Sequence, residues 1–182
     1  MGSRTFRHVL VLVFVLATPG RVLSQGGAPA CPAPSVDTTG WVRVSADSVL
    51  LNLLLPPDMA EMHYEVTIGH PAPRQEWRRN PFARFSVRRV TGPDSLKKAG
   101  ILRQASYDDY SECVEEINGR PTLIQALRGS GTIFMEGRQA KSYDVFASLQ
   151  VHPGLYIRVS ANGPSRSDQE QFLAIVRTIR VR

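Results

Sequence analysis

Apolar and polar residues alternate along most of this chain, and the pattern changes from the strand repeat to the helical repeat only near the C-terminus. Val42 and Val44 alternate with Trp41, Arg43 and Ser45, and the apolar run Val49 to Leu55 follows, closed by Pro56 and Pro57. Both segments read as strands, the second well buried. Tyr64, Val66 and Ile68 alternate with Glu65 and Thr67 in a further short strand that stops at Gly69. A loop carrying Pro71, Pro73 and Pro81 comes next, and alternation resumes from Ala83 to Val90 through Phe85 and Val87. Gly92, Pro93 and Asp94 make a turn, after which Ser95 to Ala99 has room for one helical turn.

Two hairpins are expected in the second half. Cys113 to Ile117 and Thr122 to Leu127 flank Asn118-Gly119, a pair suited to a type I′ turn because both of its central positions need positive φ. A rival reading sees Tyr107, Tyr110, Val114 and Ile117 at helical spacing. Gly129-Ser130-Gly131 reads as a flexible turn. Ala140 to Val151 and Leu155 to Ala161 then form two long strands joined at His152-Pro153-Gly154, with Tyr143, Val145, Ala147 and Leu149 on one face of the first, and Asn162-Gly163-Pro164 ends the pair. The last segment is the one clear helix. Ser167 is placed as its cap with Glu170 three residues on, a capping box, and Phe172, Ile175, Val176 and Ile179 give one apolar stripe. Gln169, Gln171 and Arg177 are expected to face water, and Thr178 to Val181 to leave as a short final strand.

The N-terminus follows a different plan. Arg4, Arg7 and His8 precede the apolar stretch Val9 to Ala17, then Pro19, Gly20 and Val22-Leu23-Ser24-Gln25, the order of a cleavable signal peptide over 1–24 with the cut at Ser24-Gln25. The apolar run is about half of the ~20 residues a spanning helix needs. A lipid on Cys31 would need a Leu three residues earlier, where Ala28 stands. Residues 25–38 form a Gly-, Pro- and Ala-rich arm, and 39–182 a single domain. The expected address is therefore exported, periplasmic or secreted.

Composition changes this picture in two places. The formal charge of +6 falls to +3 once Arg4, Arg7 and Arg21 leave with the signal peptide, 19 basic against 16 acidic residues, and the only lysines are Lys97, Lys98 and Lys141. That is no nucleic-acid footprint, and no nucleic acid partner is expected. Cys31 and Cys113 are the two cysteines, and an oxidising compartment favours one disulfide between them over two free thiols. The bond would close a loop of about 80 residues, a stabilisation on the order of 4 kcal/mol in the chain-entropy model.

Candidate chemistry is sparse. His63, His70 and His152 stand alone, no Cys-x-x-Cys or His-x-x-x-His occurs, and no Gly-x-Ser-x-Gly elbow is present, so no catalytic, cofactor or metal set is assigned. Asp108, Asp109, Glu112, Glu115 and Glu116 lack calcium-loop spacing and read as a solvated strand face. The one charge feature with a functional reading is Arg74, Arg78, Arg79, Arg84, Arg88 and Arg89 with Trp77, Phe82 and Phe85 interleaved and only Glu76 opposing. Such a stretch could dock on anionic lipid or glycan at a membrane surface; the plainer alternative puts Arg84 and Arg88 on the solvent face of a strand and the rest on a loop.

Leu55-Pro56-Pro57, the Ile117 to Pro121 hairpin, Pro153 to Tyr156 and the terminal run Phe172 to Arg180 together resemble the PsbP/Mog1-like superfamily across most of 41–182. The resemblance implies an α+β fold, an antiparallel β-sheet with the C-terminal amphipathic helix packed across it in an α/β/α-type sandwich. It also implies a binding or accessory role and supplies no catalytic residues. The expected function is thus an exported non-enzymatic module binding an unknown protein or envelope component. The alternatives are an anionic-surface binder through Arg74 to Arg89, or a small hydrolase assembled from groups such as His63, Asp108 and Ser130.

Overall fold

The structure, a computed structural model, describes residues 31, 33, 35–62, 74–101, 104, 106–135 and 138–182, the side chains of 130–139 excepted. The signal peptide expected over 1–24 and the strand expected at Tyr64 to Ile68 lie outside the described residues. Those described form mostly antiparallel β-structure with two helices. A small sheet has the order β1-β2-β10, from Val42–Ala46, Leu51–Leu55 and Arg180–Val181. A seven-stranded sheet has the order β3-β4-β5-β9-β8-β7-β6. Its strands are β3 (Ala60–Met62), β4 (Arg74–Arg78), β5 (Arg84–Thr91), β6 (Asp108–Ile117), β7 (Arg120–Met135), β8 (Arg138–His152) and β9 (Leu155–Gly163).

Turn chemistry decides the pairing. Asn118 and Gly119 both take positive φ, 53° and 70°, as a type I′ hairpin requires, so Cys113 pairs with Ile124 and the rival helical reading is excluded. Gly154, at φ 79°, closes the β8–β9 hairpin.

Four local expectations need correction. The apolar run from Val49 is not one strand: a 3₁₀ turn covers Asp47–Val49 and Leu50 adopts φ 57° before β2 begins. Gly129-Ser130-Gly131 is no turn but the middle of β7, where the register to β8 shifts between Arg128 and Thr132; a glycine at φ 103° inside a strand marks a bulge. Arg74 to Arg78, assigned to a loop, is β4, with Trp77 opposite Phe85 and Glu76 opposite Ser86. Alternation was hidden there because the strand has one apolar side chain, flanked by charged ones. Finally, the long helix α2 (Arg166–Arg177) is capped by Ser165 with Asp168 completing the capping box, two residues before the expected Ser167 and Glu170.

One face of the large sheet is apolar. Trp77, Phe85, Val87, Val145, Ala147, Leu149, Ile157, Val159 and Ala161 share a buried cluster with Leu51, Leu53 and Leu55 of β2 and with Phe172, Ile175, Val176 and Ile179. The Phe85 ring lies 6.3 Å from Phe172 and 6.2 Å from Trp77. Burying each such side chain contributes roughly 1.5–3 kcal/mol, which makes this the main stabilising layer. The residues expected to face water on α2 are only partly exposed and are tied down by hydrogen bonds. Gln169 donates to the carbonyls of Leu127 and Asp144, Gln171 accepts from Arg79, and Arg177 pairs with Glu115.

The short helix α1 (Leu96–Ala99), capped by Ser95, lies on the opposite face. Ser148 and Arg158 both donate to the Ala99 carbonyl, and the Gln125 amide bonds both the N–H and the C=O of Ile101. Gly100 permits this approach: a Cβ there would meet Leu123 at 2.6 Å. Beyond this cover the second face is open and polar.

Candidate functional site

Register places the polar side chains of the second face in cross-strand rows. Arg74, Arg88 and Arg158 lie side by side on β4, β5 and β9. The next row holds Glu76, Ser86, Ser160 and Phe146, and the one after it Arg78, Arg84, Asn162 and Asp144. Each row exists because the intervening residues, Trp77, Phe85, Val87, Val159 and Ala161, turn to the apolar core, so the chain's strand repeat sends every polar partner the other way.

Glu76 is fully buried and is shared by the guanidinium groups of Arg74 and Arg78, the latter at 2.7 Å. A buried carboxylate is tolerated only with such charged donors around it. Arg84 Nε donates to Asn162 Oδ1 at 2.6 Å, Ser86 to the Ser160 carbonyl, and Ser142 to Asp144 at 2.8 Å. A concavity of about 300 Å³ opens over these residues, lined among others by Arg74, Arg84, Ser86, Asp144, Phe146 and Ser160. Guanidinium, hydroxyl, amide and carboxylate groups converge there beside one aromatic ring. That is the make-up of a site that orients a small polar ligand.

A groove of about 340 Å³ between β2 and α2 is slightly larger, lined in part by Arg43, Arg177 and Arg180. It is the weaker candidate. Arg177 is held by Glu115, and Arg180 caps the carbonyls of Arg177 and Ile179 at the C-terminal end of α2, so two of its three cations already serve the fold.

The arginine-rich stretch is not one patch. Arg74, Arg78, Arg84 and Arg88 reach the open face, with Arg84 and Arg88 on one side of a strand as the plainer reading had it. Arg79 instead pairs with Asp58 and with Asp168 at the start of α2, and Arg89 lies opposite Ile157 on the core side. Trp77 is 1% exposed, so it cannot serve as the interfacial anchor proposed for it, and Phe85 is buried beside it. Alternation on β4 and β5 forces this division, since the aromatics occupy positions of opposite parity to the arginines of the open face.

Sequence reasoning missed Asp144, Ser160, Asn162 and Arg158. Their signal was present as the polar alternate positions of β8 and β9, but only strand order shows that they meet β4 and β5.

The acidic run lies on β6, at the edge of the sheet. Asp108 is held below the usual carboxylate range by its hydrogen bond with Lys141, Glu115 pairs with Arg177, and Glu112 accepts from Tyr110 and Gln125. No group of three or more His, Cys, Asp or Glu suited to a metal occurs among the described residues. His63 and the side chain of Ser130 lie outside them. Cys31 and Cys113 form the expected disulfide, Cα atoms 5.2 Å apart, which leaves no thiol free for a lipid or for catalysis. Among the described residues no helix is long and apolar enough to cross a membrane.

No protein-family model matches the chain, and no curated protein matches it. A solved structure from Bacteroides thetaiotaomicron, 12% identical over 77% of this chain and 48% of that one, reaches a TM-score of only 0.35 and carries no argument. The solution structure of cyanobacterial PsbP (CyanoP) from Synechocystis sp. PCC 6803 is 13% identical, covers 87% of this chain and 99% of its own, and superposes with a TM-score of 0.53. On this superposition the chain has a PsbP-like fold.

Proposed function

We propose that this protein is an exported, non-enzymatic binding module whose ligand surface is the open polar face of the seven-stranded sheet. One observation carries the reading: the concavity of about 300 Å³ gathers polar side chains from four adjacent strands without a nucleophile, base and orienter in sequence on it. In this reading α2 lies across the core face as the permanent cover and α1 partly covers the other, an α/β/α sandwich with one window left in it. Export is supported by the Cys31–Cys113 disulfide, which suits an oxidising compartment, and by the signal-like order of residues 1–24. Docking onto a bilayer through Trp77 has no support, since that ring is in the core.

The test is steric. Ser160 is half-buried on the floor between Ser86 and Phe146, so Ser160→Phe fills the window while leaving every charge in place. The oxidised domain should retain a specific component from envelope extracts, and Ser160→Phe should lose it with its melting temperature unchanged. Equal retention by the folded variant would overturn the reading.

A further inference from the structure

Arg88 and Arg158 face each other directly across β5 and β9, and Arg74 faces Arg88 from the other side. Side chains in such pairs sit about 5 Å apart at Cβ, and like charges so placed destabilise a sheet. Arg74 has Glu76, but among the described residues neither Arg88 nor Arg158 has a counter-charge. Arg88 makes no hydrogen bond or ion pair. Arg158 donates through Nη2 to a neutral carbonyl, that of Ala99, while its Nε is buried without an acceptor. Burial first, and the charge of Arg88 second, hold the Arg158 guanidinium below the usual arginine range. The acid in the adjoining row, Glu76, is already divided between Arg74 and Arg78. Across its rows this face carries five described arginines (74, 78, 84, 88 and 158) against three carboxylates, Glu76, Asp144 and, at the far end of the Glu76 row on β6, Glu112, which accepts from Tyr110 and Gln125. A half-buried cation with no counter-charge is costly, and a fold that keeps one beside two more cations is built for an anion that arrives from outside.

Resting on the reading of the open face as a ligand site, we infer that Arg88 and Arg158, with Arg74 beside them, seat an oxyanion carried at one end of a small polar ligand whose body occupies the adjoining concavity. Guanidinium forks match the paired oxygens of a phosphate or sulfate ester and of a carboxylate. The next row begins two residues along the strands, roughly 6.6 Å away. A ligand anchored on the arginine row therefore reaches Ser160, whose Oγ has no partner among the described residues and presents a donor to its oxygens. The donor excess across the rows selects an acceptor-rich ligand over a neutral apolar one. A soluble phosphate ester and a lipid headgroup share this chemistry.

The experiment titrates the oxidised protein with glycerol 3-phosphate and with glycerol, following backbone amide shifts, and sediments it with phosphatidylcholine vesicles with and without phosphatidylglycerol. Glycerol 3-phosphate should shift the amides of Ser86, Arg88, Arg158 and Ser160, and glycerol should not. Arg88→Gln and Arg158→Gln should each weaken binding by roughly tenfold or more, the loss of one charge-assisted contact. Arg166→Gln, an exposed charge on α2, should leave it unchanged. Because Arg88 is exposed, its variant retains the test should Arg158→Gln fail to fold. Sedimentation that needs phosphatidylglycerol and Arg88 assigns the oxyanion to a headgroup, and binding of the soluble ester alone assigns it to a free ligand; both support the inference. No shift with the ester together with no phosphatidylglycerol-dependent sedimentation, or binding indifferent to Arg88→Gln, overturns it. An envelope component lost with Ser160→Phe yet insensitive to Arg88→Gln would sink the oxyanion seat and leave the binding module standing.

Discussion

Tyr156 and Glu76 are both completely buried on the polar side of the sheet, and they show opposite ways of placing a polar atom in a protein. Glu76 is surrounded by guanidinium groups. The Tyr156 hydroxyl has no acceptor among the described residues. Its ring supplies nearly all of its stabilisation, since an unmade hydrogen bond adds desolvation cost and no gain. Tyr156→Phe is therefore expected to leave stability unchanged or raise it, by no more than about 1 kcal/mol, in urea denaturation. A loss above about 2 kcal/mol would mean the hydroxyl is bonded after all. Neither environment was readable beforehand. Tyr156 alternated like any strand residue and Glu76 looked like a stray acid among arginines, because burial of a given side chain depends on which strand lies next to it.

At the scale of elements, the β8–β9 and β6–β7 hairpins were legible because their turns carry their own instructions: Asn118-Gly119 and Gly154 accept positive φ at little cost. β4 was not, since a strand with one core-facing aromatic has too little alternation to register, and prolines around it suggested a loop. The start of α2 was misplaced for a related reason. Ser165 and Ser167 both stand before acidic side chains at capping-box distance, and the choice fell to Ser165 once Asp168 was also taken up by Arg79. This yields a paired test by thermal melting. Ser165→Ala should cost about 1 kcal/mol, the usual value for a lost cap, whereas Ser167→Ala, exposed within the first turn, should change stability by less than about 0.5 kcal/mol. The reverse order would return the cap to Ser167.

For the molecule as a whole, the Cys31–Cys113 bond spans 82 positions and fastens the N-terminal arm to the edge strand β6. Closing so long a loop restricts the unfolded chain, so reduction, or Cys31→Ser with Cys113→Ser, should lower the unfolding free energy by on the order of 4 kcal/mol and bring the denaturant midpoint down. An unchanged midpoint would assign the bond no part in stability. Sequence alone determined the features written in adjacent residues: the alternating strands, the two tight hairpins, the apolar stripe of the last helix, and a pair of cysteines with no competitor for pairing. These depend on backbone preferences and on local periodicity, which act over a few residues. Tertiary structure alone decided the candidate site. The strand order β4-β5-β9-β8 brings Arg88 beside Arg158, and Ser86 beside Ser160, although some seventy residues separate each pair along the chain. It also sent Trp77 into the core and split the arginine stretch between two faces. Strand neighbours are chosen by how the apolar faces close around one core, a property of the whole chain that no short segment encodes.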